Sequence, residues 1–232
     1  MRSIMVASVS VAGDGVARNV GRYAAHGPEA EFEPGSGRRV LKNLLGIRKK
    51  RELDRVEALA LARALDKLVR TYSGDHRFMA SDICEFHRTW LGEIYEWAGN
   101  FRQVNVSKGR FTFASAAQIP RLMQIFESDL LRRNTPCNGM TGVQVTAVLA
   151  ETHVELMLIH PFRDGNGRVG RILATLMALQ AGLPLLDFGL IRGKRKQQYF
   201  AAVRAGLDRA YQPMENILAE VIAMSRVTSS SR

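Results

Sequence analysis

Residues 160–171 read H-P-F-R-D-G-N-G-R-V-G-R, and this stretch constrains the chain more than any other. An apolar run at helical spacing ends at His160 and a second begins at about Val169, so the segment predicts helix, loop, helix. Gly165 and Gly167 let the loop adopt positive φ and bring its backbone close to a ligand. The first N–H groups of the second helix have no upstream carbonyl to bond, and with the helix dipole they form an anion site. Arg168 and Arg171 add two planar guanidinium forks suited to phosphate. Asp164 is a hard oxygen ligand of the kind Mg²⁺ takes alongside substrate phosphates. His160, beside all of these, is a general-base candidate near neutral pH. The chemistry reads as nucleotide phosphate handling.

The chain around this stretch has 232 residues, 46% of them hydrophobic and 24% charged, which suits one well-cored domain. Its two cysteines, Cys84 and Cys137, are too few for a disulfide framework and stand in no metal-ligand spacing. A reduced, cytoplasmic setting is therefore expected. No apolar run approaches the roughly 18 residues of a membrane span, so no membrane partner is expected. Residues 1–15 have a superficial likeness to a secretion signal, but serines break the apolar stretch and that reading is rejected. Delivery as an effector without a cleaved signal stays open.

A formal charge of +11 raises a nucleic-acid hypothesis. The basic residues cluster at Arg48, Lys49, Lys50 and Arg51 and again over residues 192–196. No DNA-binding motif or aromatic-interleaved basic groove accompanies them. The expectation is a solvated basic face that draws an acidic partner or ATP, with no specific nucleic acid.

Taken in order, residues 1–38 are rich in Gly and Pro without a sustained period and predict a flexible tail. From Lys49 to Tyr72, Leu53, Val56, Ala60, Ala64 and Leu68 recur at helical spacing. A second helix starts at Ser81 or Asp82 and carries Ile83, Phe86, Trp90, Ile94 and Trp97, with Gly99 as its stop. His87 lies on it as a packed or surface imidazole rather than a ligand. Residues 102–113 alternate apolar and polar around a Ser107-Lys108-Gly109 turn, which predicts a β-hairpin. Its open edges can accept an extended segment of another protein. Ser115 and Thr141 each open a capping box, the second leading into the helix that ends at His160. His153, on that helix, has no metal partner. Helices are expected after the motif, over residues 193–205, and from Pro213 to about Ser225, before a disordered end over residues 227–232.

The motif of residues 160–171 resembles that of the Fic family, H-x-F-x-[D/E]-G-N-G-R-x-x-R, and matches it at every specified position. The resemblance implies a mainly α Fic-type helical bundle with a β-hairpin flap over the active site, here over residues 39–226. It also implies transfer of AMP from ATP to a Ser, Thr or Tyr hydroxyl of a target protein. His160 would deprotonate that hydroxyl and Asp164 would hold Mg²⁺. Gly165, Asn166 and Gly167 would cradle the anion, with Arg168 and Arg171 on the phosphates. The passage W-A-G-N-F-R-Q-V-N-V-S-K-G is similar to the family's flap, which would place Lys108 and Gly109 near the nucleotide and the target along the hairpin. Tyr199 would close the adenine and ribose pocket.

Many Fic proteins carry an inhibitory [S/T]-x-x-x-E-[G/N] helix whose Glu pairs with the last motif arginine. Here the Glu215-Asn216 pair is preceded at that spacing by Tyr211, so the internal brake is missing. The resemblance then implies an unrestrained enzyme, or a toxin or effector held by a separate small antitoxin. Two alternatives stand beside it: transfer of phosphate or another nucleotide moiety, and a basic nucleic-acid-binding module. Relatives that transfer phosphate carry Lys in the place of Gly167.

Overall fold

The computed structural model of the protein describes residues 24–25, 29, 31–109 and 111–230. Its centre is α5 (Gly142–Ile159), with Val145, Leu149 and every residue from 152 to 159 buried. A helix apolar all round has to be enclosed. α6 (Asn166–Gln180), α7 (Lys194–Ala205), α8 (Gln212–Ser230) and α3 (Ile119–Phe126) enclose this one. By length and composition α5 could cross a membrane, with a mean hydropathy of 1.3. That corrects the expectation of no such run, and its burial explains the composition: it is the core helix of a bundle.

α1 (Lys50–Thr71) and α2 (Ala80–Leu91) pair with each other, and α2 packs on α6. α2 ends at Leu91 rather than running to Gly99, and Ile94, Tyr95 and Trp97 follow outside the helix. Asp82 is not its cap; the carboxylate reaches back to accept from the N–H of Met79 at 2.8 Å. Ser115 makes no capping bond and begins a short 3-10 turn, with Pro120 at the start of α3. From α3 the chain passes through a π-helical turn, Glu127–Leu131, into α4 (Arg132–Asn134). Thr141 does cap α5, accepting from the Gln144 N–H at 3.4 Å while Gln144 Oε1 accepts from the Thr141 N–H at 2.8 Å.

The hairpin is present as β2 (Val106–Lys108) and β3 (Phe111–Thr112), antiparallel, with Ser107 opposite Thr112. β1 (Ala24–Ala25) lies along the other edge of β2, Ala24 opposite Ser107, giving the order β1-β2-β3. One flap edge is thus filled by the protein's own chain.

Of the flexible tail expected over residues 1–38, residues 1–23, 26–28 and 30 lie outside the described residues, as does the secretion-signal reading of residues 1–15. The described remainder is packed. Phe32 pairs with Leu41, Ser36 is buried, and the Glu29 carbonyl accepts from Arg163 Nε at 2.9 Å. At the other end α8 continues to Ser230, so residues 227–230 are helical and not a disordered tail; residues 231–232 lie outside the described residues. Buried Ile222 and Ser225 dock the turns just before residues 227–230, and Thr228 Oγ1 bonds back to the Met224 carbonyl at 3.1 Å.

Candidate active site

His160 ends α5 with φ 54° and ψ 61°, a left-handed conformation that turns the chain sharply into the loop. Its Nδ1 lies 3.2 Å from the Met157 carbonyl, which can only accept. Nδ1 therefore carries the proton, which makes Nε2 the acceptor nitrogen of the ring. The ring is 4% exposed and stacks on Phe113 of the flap, with centroids 3.8 Å apart. Burial holds its pKa down at about 3, so the imidazole is neutral at any working pH.

The loop after His160 is tied from within and from below. Asn166 Oδ1 accepts from the Phe162 N–H and its Nδ2 donates to the Phe162 carbonyl, both at 2.8 Å. The Asn166 side chain is thus a clamp on the loop, and only its backbone N–H is left for the expected anion cradle. His87, buried on α2, donates from Nε2 to the Asp164 carbonyl at 3.1 Å and accepts at Nδ1 from the Gly99 N–H at 2.8 Å. Its ring stacks on Phe162 at 4.0 Å, and burial lowers its pKa to about 4. The packed imidazole expected there is present, and it holds up the site loop. Gly165 has φ 85°, and a Cβ there would lie 2.7 Å from Trp90 Cζ3. Only glycine fits.

α6 begins at Asn166, three residues before the expected start, which places Asn166 and Gly167 in its first turn with N–H groups that have no intrahelical acceptor. This turn opens on a cleft of about 490 Å³ lined by Lys108, Asp164, Gly165, Gly167, Arg168, Arg171, Arg192, Lys196, Tyr199 and Phe200, among others. Five cationic side chains face one carboxylate there. The cleft gathers Lys108 from the flap, the motif residues, Lys196 from the first turn of α7 and Arg192 from just before that helix. The solvated basic face expected over residues 192–196 is thereby divided, since Arg195 instead pairs with Glu220.

The two motif arginines stand in different surroundings. Arg168 Nη1 donates to Glu57 Oε2 at 2.8 Å, and its guanidinium lies 4.3 Å from the Trp90 ring centroid. Glu57 is 6% exposed and accepts from Tyr95 Oη at 2.7 Å. Arg171 makes no ion pair among the described residues, and its buried Nε has no hydrogen-bond partner. It sits over the rings of Phe188 and Tyr199, at 5.4 and 5.9 Å. Glu215, in the first turn of α8, does not reach it, and Tyr211 is instead bonded to Glu155 at 2.6 Å.

Lys108 lines the cleft with Nζ 3.3 Å from the Phe200 ring centroid, and Gly109 follows at φ 60° in the flap turn. Tyr199 is a wall of the cleft, but its hydroxyl is bonded to His153 Nε2 at 2.7 Å and is pushed up to a pKa of about 12 by burial. His153, which carried no role in the sequence, fixes that tyrosine. Asp164 lines the cleft, and its Oδ1 accepts from the Gly165 N–H at 2.6 Å. Among the described residues no group of three metal-binding side chains gathers, so any cation here would depend on substrate oxygens as well.

Residues 77–178 match the family model of the Fic/DOC family. The chain is 30% identical over 151 residues to the "Probable protein adenylyltransferase Fic" of Salmonella typhimurium, an alignment covering 64% of this chain and 72% of that protein. The chain belongs to the Fic/DOC family. This Fic protein is also 33% identical over 148 residues to the protein adenylyltransferase VbhT of Bartonella schoenbuchensis, covering 62% of the chain but only 30% of VbhT. Among solved structures, the N-terminal Fic domain of a VirB-translocated Bep effector protein from Bartonella quintana, with bound ADP, superposes with a TM-score of 0.66. It is 26% identical, and the match covers 82% of this chain and 92% of that one. The mainly helical Fic fold with its hairpin flap, expected from the motif, is the fold observed.

Proposed function

We propose that the protein is an adenylyltransferase that moves AMP from ATP onto a Ser, Thr or Tyr hydroxyl of a target protein and releases pyrophosphate. The observation that carries this is Arg171, a cleft-lining arginine that among the described residues has no ion pair and a buried N–H without an acceptor, next to the open first turn of α6. A half-buried guanidinium so placed is suited to a polyanion. The names of the Salmonella and Bartonella relatives, and the ADP bound by the Bartonella quintana domain, support the nucleotide reading.

In this reading the phosphates lie on the N–H groups of Asn166 and Gly167, with Arg171, Lys108, Arg192 and Lys196 around them. His160 Nε2 takes the proton of the target hydroxyl, whose oxygen attacks the α-phosphorus. The bond from that phosphorus to the bridging oxygen breaks, and pyrophosphate leaves with the electron pair. Positioning and charge stabilisation lower most of the barrier, and the base contributes about 10²–10⁴-fold. Asp164 fits Mg²⁺, which takes one carboxylate plus phosphate oxygens; when bound it would neutralise phosphate charge. The target would lie along the flap by strand addition at the β3 edge.

With no carboxylate on Arg171 among the described residues, restraint would come from a separate small antitoxin that supplies a Glu-bearing helix. The protein would act in the cytoplasm or be delivered as an effector. Incubation with α-³²P-ATP and, separately, γ-³²P-ATP tests the reaction. Label on protein from the α position alone supports AMP transfer, label from γ alone means phosphate transfer, and label from neither overturns both.

A further inference from the structure

Arg102 stands at the first foot of the flap and is 1% exposed. A guanidinium removed from water needs a carboxylate or a full set of acceptors to offset its lost hydration. Arg102 makes no ion pair among the described residues; every bond of its side chain goes to a backbone carbonyl. Nε donates to the His160 carbonyl at 2.7 Å, Nη1 to the Val104 carbonyl at 2.8 Å, and Nη2 to the Ala114 carbonyl. Its own N–H donates to the Pro161 carbonyl at 2.9 Å.

These acceptors lie at three separate places. Val104 precedes β2, Ala114 follows β3, and His160 is the general base of the proposed reaction. One rigid fork thus ties both feet of the flap to the backbone of the base. Two further observations point the same way. His160 is in the left-handed region at φ 54°, which a non-glycine residue keeps only where its surroundings hold it. Phe113, next to Ala114, lies flat on the imidazole. The flap and the base therefore touch through their rings and are tied through the same guanidinium.

We propose that Arg102 is the positioning residue that sets the flap and His160 in one register, so that a hydroxyl aligned along the flap arrives at Nε2. The proposal rests on the AMP-transfer reading for its consequence, while the coupling itself is a property of the fold. Of the phosphate-binding groups only Lys108 rides on the flap; the N–H groups of Asn166 and Gly167, Arg171, Arg192 and Lys196 stand on α6 or at the start of α7 and just before it, apart from this tie. Loss of Arg102 accordingly separates transfer from nucleotide binding, which loss of general folding would not do.

The test compares wild type, Arg102→Lys and Arg102→Met by thermal melting, affinity for Mg²⁺–AMPPNP, amide hydrogen exchange, and incorporation of label from α-³²P-ATP. Lys keeps the charge but reaches one carbonyl where Arg reaches three. In Arg102→Lys, exchange should rise together over residues 104–114 and 160–162, transfer should fall about tenfold, and AMPPNP affinity should stay within about threefold of wild type. Arg102→Met should lose about 10²-fold or more in transfer, with the same preserved affinity if it folds. If Met does not fold, Lys decides. Exchange that rises in only one of the two segments, or in neither, overturns the coupling whatever the activity. Unchanged transfer in Arg102→Lys overturns the role in register. Wild type that binds AMPPNP but transfers no α-label fails the reaction reading instead, and the exchange result still judges the tie.

Discussion

Glu57 and Arg168, 111 residues apart in the chain, form an ion pair of 2.8 Å beneath the cradle at the start of α6. Tyr95 holds the other carboxylate oxygen, Trp90 Nε1 donates to the Glu57 carbonyl at 2.9 Å, and the Trp90 ring carries the arginine. The group joins α1, α2 and α6 at one point. Glu57→Ala would strand the Tyr95 hydroxyl and leave a partly buried cation without its partner. Removing one member of a fully buried pair costs 3–5 kcal/mol; the partial exposure of Arg168 reduces this to about 2 kcal/mol. Urea unfolding of the variant reads it. Glu57→Gln keeps an acceptor for Arg168 and should lose less than half as much.

Replacement of His160 should abolish transfer while leaving the fold. Because the backbone is left-handed there, Asn is a better probe than Ala, being the non-glycine residue that tolerates φ near 54° best. His160→Asn is expected to melt within a few degrees of wild type, to bind Mg²⁺–AMPPNP, and to lose about 10²–10⁴-fold in transfer. Transfer retained in the folded variant would remove His160 from the chemistry.

Two glycines of the motif should respond differently. Gly165→Ala places a methyl 2.7 Å from the Trp90 ring in a backbone with φ 85°, so strain and overpacking together should cost about 3 kcal/mol. Gly167→Ala meets no atom within 4 Å. Its stability should be unchanged, and its effect confined to the cleft: weaker AMPPNP binding by about tenfold, read by calorimetry.

Acid should unfold the protein before it silences the base. Burial lowers His87 and His153 to pKa values of about 4 and His160 to about 3, against about 6.5 when unfolded. The unfolded chain therefore binds more protons between these values, and stability rises with pH across that window. It is fully present above about pH 6.5 and is lost as pH falls toward 4, each histidine contributing up to about 1.4 kcal/mol per pH unit. Melting temperature should fall steadily below pH 6.5. The transfer rate of the still-folded enzyme, by contrast, should change less than about threefold between pH 8 and 6, since His160 stays neutral throughout. A rate profile that drops with an apparent pKa near 6.5 would mean a solvated base.

Glu215→Gly probes the missing brake. Glu215 does not pair with Arg171, so the substitution should alter transfer by less than about threefold. Activation of tenfold or more, about 1.4 kcal/mol, would mean that α8 moves its carboxylate onto the phosphate site in solution.

Residues 160–171 by themselves determined the helix–loop–helix at the heart of the site, because glycines, a carboxylate, three arginines and a terminal histidine within a dozen positions act through local backbone geometry. The alternation over residues 102–113 likewise determined the flap, since period-two patterning is a local property. Tertiary structure alone decided what holds these parts. Glu57 falls on a helix whose apolar stripe gives no reason for a buried carboxylate. His87 reads as a packed or surface imidazole until Asp164 is brought to it, and no pattern in the sequence marks Arg102 until three carbonyls close round it. Their partners lie 58 to 111 residues away or on the far side of a turn. A sequence period records which face of an element is buried, whereas the hydrogen-bond partner of a buried polar group is set by how elements pack. That packing paired Arg168 with Glu57, left Arg171 without an ion pair among the described residues, and set His160 under the flap.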